Sequence, residues 1–260
     1  MDSRQQQMQL WLDQVLPQAA AALGWTDLPA GVLSAASADA SFRRYFRWQA
    51  GERSLIVMDA PPEHENTEPF VRITRLLQDA GVRVPRLFAE DLPQGFLLLE
   101  DMGAKTYLQT IEQGVAPAEL ERMFAAAITS LIRWQLASRP GVLPDYDEAV
   151  LRRELALFPD WYVGRERGRS LSAEEQSLWD QVQALLLDSN LGESRVYVHR
   201  DYMPRNLMTA EGEPGVLDFQ DALYGPVSYD ATSLFADAFF SWPAAERSQW
   251  LSRYWQQARA

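Results

Sequence analysis

The sequence contains no cysteine, only two histidines and a single lysine, Lys105. Without cysteine, the chain cannot form disulfide bonds or thiolate metal sites. It also lacks any run of about eighteen apolar residues, which excludes a membrane-spanning helix. Its first residues, Met1 to Gln7, lack the basic and then apolar pattern of a secretion signal. These absences together predict a cytoplasmic protein.

Acidic residues outnumber basic ones by 36 to 24, which gives a formal net charge of −12. Such a charge argues against nucleic acid as the main partner, because phosphate backbones bind basic surfaces. It suits a cationic substrate, although an acidic excess more often only keeps a protein soluble. The hydrophobic content of 47% and the length of 260 residues indicate a globular protein of one large or two small domains.

Most of the functional information lies in the segment His199-Arg200-Asp201-Tyr202-Met203-Pro204-Arg205-Asn206, which Asp218-Phe219-Gln220 follows. This order and spacing are typical of phosphoryl transfer on a kinase-type fold. Asp201 can accept the proton of an attacking hydroxyl. Asn206 and Asp218 offer oxygen atoms, the ligands that magnesium prefers. The segment therefore predicts a kinase that uses ATP and Mg²⁺.

The local pattern places the metal-ligand candidates on a β-hairpin. A short strand, 196–198, leads into His199, and the runs 206–208 and 216–219 are also extended. The segment 209–215 between them is rich in turn-forming residues. Since the hairpin pairs its two strands, we expect Asn206 and Asp218 to lie close together, as two ligands of one metal must.

Three polar residues near this segment have structural interpretations. We interpret His199 as scaffold, because a ring buried beside a strand end can anchor the loop through hydrogen bonds. Asp230 lies where a helix begins, so its carboxylate is predicted to cap that helix, to brace the catalytic loop, or to do both. Asp221 can reach metal or substrate, but a local structural role is favoured.

The rest of the chain predicts a β-rich region followed by a helical one. A helix runs towards Gly24, and extended patterns follow over 32–50, 55–58, 82–88 and 95–101. One inserted helix opens at Thr67 or Glu68 and stops at Gly81. Helical patterns then occupy 118–137, 147–163 and 173–187. The predicted fold is α+β and bilobal, with a nucleotide-binding lobe at 1–101 and a helical catalytic and acceptor-binding lobe at 102–260.

Several segments carry a resemblance to a known family: 40–47, 55–62, 98–103, 154–162, 198–206, 217–226 and 229–230. Through them the chain resembles the aminoglycoside phosphotransferase family of kinase-like enzymes. Within that family it is similar to the bacterial kinases that phosphorylate the anomeric hydroxyl of N-acetylmuramate or N-acetylglucosamine. The resemblance spans nearly the whole chain. It implies a protein-kinase-like fold, ATP and Mg²⁺, and a sugar 1-phosphate formed in peptidoglycan recycling.

The resemblance also assigns roles to residues. It implies that Asp201 positions or deprotonates the acceptor hydroxyl, and that Asn206 and Asp218 bind magnesium. It implies that the hinge, from Glu100 to Met102, meets adenine and that the segment 39–44 covers the phosphates. The nucleotide-binding candidates in that segment are Ser41, Phe42, Arg43 and Arg44. The substrate-binding candidates are Trp161, Tyr162, Arg205 and Asp221. Aromatic residues on a helix are more often core, so the first two have that alternative.

The sequence departs from the family pattern in two ways. Kinase-like folds normally carry a phosphate-binding lysine on the third strand, whereas Met58 occupies that region and Lys105 comes too late. Arg43 or Arg44 can supply the missing cation, because guanidinium binds phosphate oxygens well. Relatives also continue with more C-terminal helices, so we expect either a fragment or a natural short form whose acceptor pocket is incomplete.

Two other functions stay open on the sequence alone. The first is phosphorylation of another small molecule, such as an aminoglycoside or a choline-like amine, which the acidic charge suits. Against it, the carboxylate of N-acetylmuramate requires an arginine, and Arg200 and Arg205 are both candidates. The second is a non-catalytic nucleotide-binding pseudokinase, which only the missing lysine supports. Retention of the base and of both metal ligands argues against it.

Overall fold

The computed structural model describes residues 3–38, 42–237, 240 and 242–259, and the chain divides into two compact units. Unit 1 comprises Met1–Ser130 and Pro204–Asp221, and unit 2 comprises Leu131–Met203 and Ala222–Ala260. The lobe boundary predicted after Asp101 does not coincide with this division. Unit 1 continues past Asp101 to Ser130, and it also includes the predicted hairpin, where the backbone N–H of Val216 donates to the carbonyl of Arg83 over 2.8 Å.

The elements of the first 136 residues are α1 (Ser3–Ala22), β1 (Val32–Ala38), β2 (Arg44–Ala50), β3 (Arg53–Asp59), α2 (Glu68–Asp79), β4 (Leu87–Asp91), β5 (Phe96–Glu100), α3 (Tyr107–Glu112) and α4 (Pro117–Leu136). They are followed by α5 (Glu148–Leu155), a π-helix (Phe158–Glu166), α6 (Ala173–Leu191), β6 (Arg195–Val198), a 3₁₀ turn (Pro204–Asn206), β7 (Leu207–Met208), β8 (Gly215–Val216), β9 (Leu223–Pro226), α7 (Tyr229–Phe235) and α8 (Ala244–Ala258).

Unit 1 is built on an antiparallel five-stranded sheet in the order β1-β2-β3-β5-β4. Side chains alternate between the two faces of a strand, and apolar residues at alternate positions of β2, β3 and β5 share a core with α1. The core on this face contains Met8, Trp11, Leu12, Leu16, Trp48, Leu55, Val57, Phe96 and Leu98. The predicted opening helix and the predicted strands at 55–58 and 95–101 are therefore present in the structure.

One predicted strand is shorter than expected. The pattern over 82–88 predicts an extended strand, but β4 begins only at Leu87. Pro85 has no backbone N–H to donate to a neighbouring strand, which disfavours regular pairing of the residues around it. The segment before β4 instead contacts the predicted hinge at Glu100, whose backbone N–H donates to the carbonyl of Arg86 over 2.8 Å.

Unit 2 packs helices against the two-stranded sheet β6–β9. Its core includes Tyr146, Leu151, Leu187 and Val198. The single helix predicted over 147–163 is divided: α5 ends at Leu155 and a π-helical segment starts at Phe158. Pro159 accounts for this division, because a proline within an α-helix removes a hydrogen bond and clashes with the preceding turn.

Among the helices of the described ranges, none combines the length with the apolar composition that a bilayer-spanning segment requires.

Candidate active site

The predicted catalytic loop begins at His199, directly after strand β6 in unit 2, and is held by Asp230 of α7. One carboxylate oxygen accepts the backbone N–H of His199 over 2.7 Å, and the other accepts that of Arg200 over 3.0 Å. The brace that the sequence predicted is thus present. The predicted helix cap is not, because α7 has Ser228 as its N-cap residue and both oxygens of Asp230 turn to the loop.

His199 is buried and contributes to the same loop. Its Nδ1 accepts the backbone N–H of Asp201 over 3.2 Å, and its ring packs edge-on against Tyr202 with 5.6 Å between centroids. These contacts orient the backbone of Asp201 from within its own segment, as a scaffold residue would.

Burial raises the pKa of Asp230 to about 7. The N–H groups of His199 and Arg200 act in the opposite direction, and the nearby charge of Asp201 adds to the increase. Desolvation prevails because the Asp230 side chain is 1% exposed. The carboxyl that holds the catalytic loop therefore titrates close to neutral pH.

The metal-ligand candidates lie in unit 1, on the hairpin β7–β8. Leu217 N–H donates to the carbonyl of Asn206 over 2.9 Å. The strand pairing of the hairpin therefore continues to Asn206 on one strand and to the residue before Asp218 on the other. The amide nitrogen of Asn206 is 3.5 Å from a carboxylate oxygen of Asp218. Asp218 has a positive φ of 65°, and its other oxygen accepts a hydrogen bond from Gln220 over 2.9 Å. The predicted proximity of the two side chains is present in the structure.

The oxygen donors of this pair suit a magnesium site whose other ligands come from the substrate phosphates and water. In the ranges that the structure describes, no group of three or more histidine, cysteine, aspartate or glutamate residues can hold a metal. Asn206 and Asp218 offer one amide and one carboxylate, and the carboxylate is 40% exposed. Mg²⁺ is commonly held by one or two carboxylates together with substrate phosphates and water, so the donor set fits.

The two arginines proposed to replace the missing lysine have different partners. The Arg44 Nε donates to buried Asp59 over 3.0 Å, and Arg4 of α1 donates to the same carboxylate over 2.8 Å. Arg44 therefore lies on the face of the sheet that α1 covers. Met58 is one residue before Asp59 on β3, so it points to the opposite face. Arg43, in contrast, has its guanidinium 3.8 Å from Asp218.

A third arginine, Arg47 of β2, fixes the predicted hinge. It binds both carboxylate oxygens of Asp101 over 2.6 and 3.0 Å and also donates to the carbonyl of Gly103 over 3.0 Å. Burial raises the pKa of Asp101, but the hydrogen bonds from Arg47 and its neighbours outweigh this effect, so the net pKa is lowered. Glu100, the first hinge residue, accepts from Arg83 and from the backbone of Arg86, each over 3.2 Å.

The remaining nucleotide-binding candidates divide into three cases. Met102 is buried beneath the hairpin, where a Cβ added at Gly215 would come within 2.2 Å of its Cε. Phe42 is exposed and stacks on His64 with 4.4 Å between ring centroids. Ser41 lies outside the described residues.

The substrate-binding candidates are divided between the two units. Trp161 and Tyr162 lie on the π-helix of unit 2 and are 54% and 51% exposed, so they are not core residues. The guanidinium of Arg165 lies 3.9 Å from the ring centroid of Trp161, while Tyr162 lines a cavity of about 410 Å³. Arg205 and Asp221 are exposed residues of unit 1.

Sequence reasoning missed the partner of Arg200. Its guanidinium donates to Glu154 of α5 over 2.6 Å, and Tyr146 donates to the other oxygen of Glu154. Glu154 begins one of the segments that carry the family resemblance, which was the available signal. The two residues are 46 positions apart, so no local sequence pattern could predict that they pair.

The chain is similar to proteins of a known enzyme family. The model of the phosphotransferase enzyme family matches residues 32–260. The chain is 54% identical to an N-acetylmuramate/N-acetylglucosamine kinase of Pseudomonas aeruginosa, over 99% of this chain and 75% of that protein. It is 44% identical to a protein of the same name from Neisseria meningitidis, over 88% of this chain and 68% of that one.

Solved structures show the same fold at low sequence identity. The streptomycin–ATP ternary complex of an aminoglycoside phosphotransferase, APH(2")-IIa, matches with a TM-score of 0.65 and 13% identity, over 98% of this chain and 82% of that one. The choline kinase LicA of Streptococcus pneumoniae matches with a TM-score of 0.60 and 14% identity, over 94% and 80%. The fold is therefore the protein-kinase-like α+β fold that the sequence predicted.

Proposed function

Since the chain belongs to the phosphotransferase enzyme family, we propose that it is an ATP-dependent kinase for the anomeric hydroxyl of N-acetylmuramate and N-acetylglucosamine. The observation that carries the sugar assignment is 54% identity, over nearly the whole chain, to a kinase named for these two sugars. The product would be the sugar 1-phosphate. Such a product belongs to the recycling of peptidoglycan sugars in the cytoplasm, where ATP is available.

In this proposal, unit 2 supplies the group that acts on the acceptor. Asp201 orients the hydroxyl and accepts its proton as the oxygen attacks the γ-phosphorus of ATP. The bond between that phosphorus and the β,γ-bridging oxygen breaks, and ADP leaves. No covalent enzyme intermediate is needed, so the contribution of the loop is to hold Asp201 in place.

Unit 1 supplies the groups that act on ATP. Asn206 and Asp218 are the residues that would hold Mg²⁺, which neutralises phosphate charge when bound. Arg43 is the arginine proposed to assist. Its guanidinium lies 3.8 Å from Asp218, whereas that of Arg44 is bound to Asp59. The hinge that Arg47 fixes through Asp101 would bind adenine through backbone groups.

The test is a panel of acceptors incubated with purified protein, ATP and Mg²⁺. The panel contains N-acetylmuramate, N-acetylglucosamine, an aminoglycoside and choline, and phosphorus NMR locates the new phosphate. We expect a 1-phosphate on both amino sugars and no product from the other two compounds. Product from only the aminoglycoside or choline, or from no acceptor, would contradict the proposal.

The same assay tests the role of Asp201. An Asp201→Asn variant cannot accept the proton, so we expect its kcat to fall at least about a hundredfold, in line with general-base catalysis. Its affinity for ADP and Mg²⁺, measured by calorimetry, should equal that of the unchanged protein. Substantial residual turnover would show that another group is the base.

A further inference from the structure

The catalytic loop is held in a backbone conformation that it would not adopt by itself. Arg200, directly before Asp201, has a φ of 80°. Within the described ranges, only Asp218 shares a positive φ among residues other than glycine. This conformation is unfavourable for a side chain with a Cβ and persists only where the surrounding structure enforces it. The contacts of Arg200 therefore determine where Asp201 is presented.

The backbone and the side chain of Arg200 are held by different elements. Asp230 of α7 accepts its backbone N–H over 3.0 Å. Glu154 of α5 accepts from its guanidinium over 2.6 Å, with the two side chains 30% and 25% exposed. Burial lowers the pKa of Arg200, but the hydrogen bond and the charge of Glu154 raise it by more, so the guanidinium stays charged. A charge-assisted hydrogen bond of this length is among the stronger polar contacts in proteins.

Glu154 is itself fixed by Tyr146. The hydroxyl of Tyr146 donates to the carboxylate oxygen that Arg200 does not use. Tyr146 is 1% exposed, and its backbone N–H donates to the carbonyl of Tyr224 on β9 over 2.8 Å. Burial, the hydrogen bond to Glu154 and the neighbouring Tyr229 all raise the pKa of the Tyr146 hydroxyl, which keeps it a donor. The chain of contacts thus runs from the sheet of unit 2 through Tyr146 and Glu154 to Arg200.

We propose that Glu154 and Tyr146 are positioning residues that fix the guanidinium of Arg200 and, through it, the loop that presents Asp201. This inference rests on the proposed function only in giving Asp201 its catalytic role. A second ion pair on α5, between Glu148 and Arg152, differs in being local and exposed, with the two side chains about half accessible to solvent. Such a pair is expected to contribute little.

The experiment compares two identical substitutions on one helix, Glu154→Gln and Glu148→Gln. We expect Glu154→Gln to lower kcat about tenfold to a hundredfold, because small misplacements of a reacting group have effects of this size. The KM for ATP should change less than about twofold, since the nucleotide-binding candidates belong to unit 1. Glu148→Gln should leave both constants unchanged. Equal kcat values for the two variants would overturn the proposal.

A double-mutant cycle separates positioning from a general loss of stability. With Glu154→Gln already present, Arg200→Met should lower kcat little further, because both substitutions remove the same contact between Arg200 and Glu154. Thermal unfolding followed by circular dichroism gives the folded fraction at the assay temperature. A fall in kcat that matches the fall in folded fraction, or additive effects of the two substitutions, would also overturn the proposal.

Hydrogen exchange tests the inference without any substrate. In the Glu154→Gln protein, the amides of the segment 199–201 should exchange faster than in the Glu148→Gln protein, while the amides of α5 exchange alike. Unchanged exchange in that segment would overturn the positioning role. If the unchanged protein phosphorylates no acceptor, the proposed function fails, and this measurement still decides the role of Glu154.

Discussion

Arg43 and Arg44 are neighbours in sequence that the structure assigns to different tasks. Arg44 begins β2 and neutralises Asp59, a carboxylate with no exposed surface, together with Arg4. Arg43 precedes the strand and has its guanidinium near Asp218. The sequence could not separate the two, because both match the family segment and both carry the same charge. The register of β2 with β3 separates them.

A matched pair of substitutions tests this difference. We expect Arg43→Met to raise the KM for ATP and lower kcat, together about a hundredfold in kcat/KM, since a charge-assisted contact to phosphate is worth about 1.5–3 kcal/mol. Arg44→Met should leave catalysis near normal and instead lower the free energy of unfolding, because Asp59 loses one of its two arginines. Steady-state kinetics and urea unfolding measure the two effects. A catalytic defect in Arg44→Met with normal catalysis in Arg43→Met would refute these roles.

Asp230 gives the protein a predictable dependence on pH. Its pKa is about 7 in the folded protein and about 4 in the unfolded chain. Between these values the folded state holds a proton that the unfolded state has released. The contribution of this group to the free energy of unfolding is therefore fully present below about pH 4 and is lost as the pH rises through 7.

The measurement is urea unfolding between pH 5 and 8 for the unchanged protein and for Asp230→Asn. We expect the free energy of unfolding of the unchanged protein to decline more steeply with pH than that of the variant, whose amide does not titrate. Parallel curves would show that the carboxyl of Asp230 titrates normally.

At the scale of secondary-structure elements, α1 provides the clearest link between pattern and stability. Its apolar residues recur at helical spacing and form one side of the core of unit 1. Leu12 has no exposed surface, whereas Leu10, half a turn away, is 64% exposed. The two leucines therefore share a helix, a side chain and a helix propensity but differ in burial.

Replacing each leucine by alanine isolates the contribution of burial. We expect Leu12→Ala to lower the free energy of unfolding by about 2–5 kcal/mol, the usual range for a buried leucine. Leu10→Ala should change it by less than about 0.5 kcal/mol, as surface substitutions do. Denaturant unfolding at constant pH measures both, and equal effects would mean that α1 does not pack on the sheet in solution.

The elements also show where sequence reasoning reached its limit. Two short extended runs and the turn residues between them predicted the hairpin β7–β8, and the structure brings Asn206 and Asp218 together on it. The prediction of one continuous helix over 147–163 was wrong. Helical periodicity does not reveal a change from α to π hydrogen bonding, which occurs here near Pro159. Long-range side-chain pairs such as Glu154 with Arg200 depend on tertiary packing and have no local signature.

For the molecule as a whole, the segments that resemble the phosphotransferase family predicted both the fold class and the family. The predicted boundary after Asp101 differs from the observed division, in which unit 1 runs to Ser130 and also includes the hairpin, although the hairpin lies late in the sequence. The acidic charge of −12 is a property of the entire surface and did not identify the substrate.

Nucleotide binding should be visible as stabilisation of the whole protein. At ADP and Mg²⁺ concentrations about one hundred times the Kd, the free energy of unfolding should rise by about 2.7 kcal/mol. Excess EDTA should remove most of this gain, and Asp218→Ala should prevent it. Asp201→Asn should retain it, because Asp201 is not a metal ligand in this proposal. Thermal unfolding with and without EDTA measures the effect, and a gain that survives EDTA would contradict the metal assignment.

The pairing of Arg200 with Glu154 has a consequence for regulation. In kinases that are switched by phosphorylation, an added phosphate supplies the negative charge that an arginine requires to order a loop. Here a carboxylate of the protein itself supplies that charge as soon as the chain folds. The loop therefore needs no covalent modification to complete this contact. We expect the enzyme to be active as synthesised, with its flux set by the supply of ATP and acceptor.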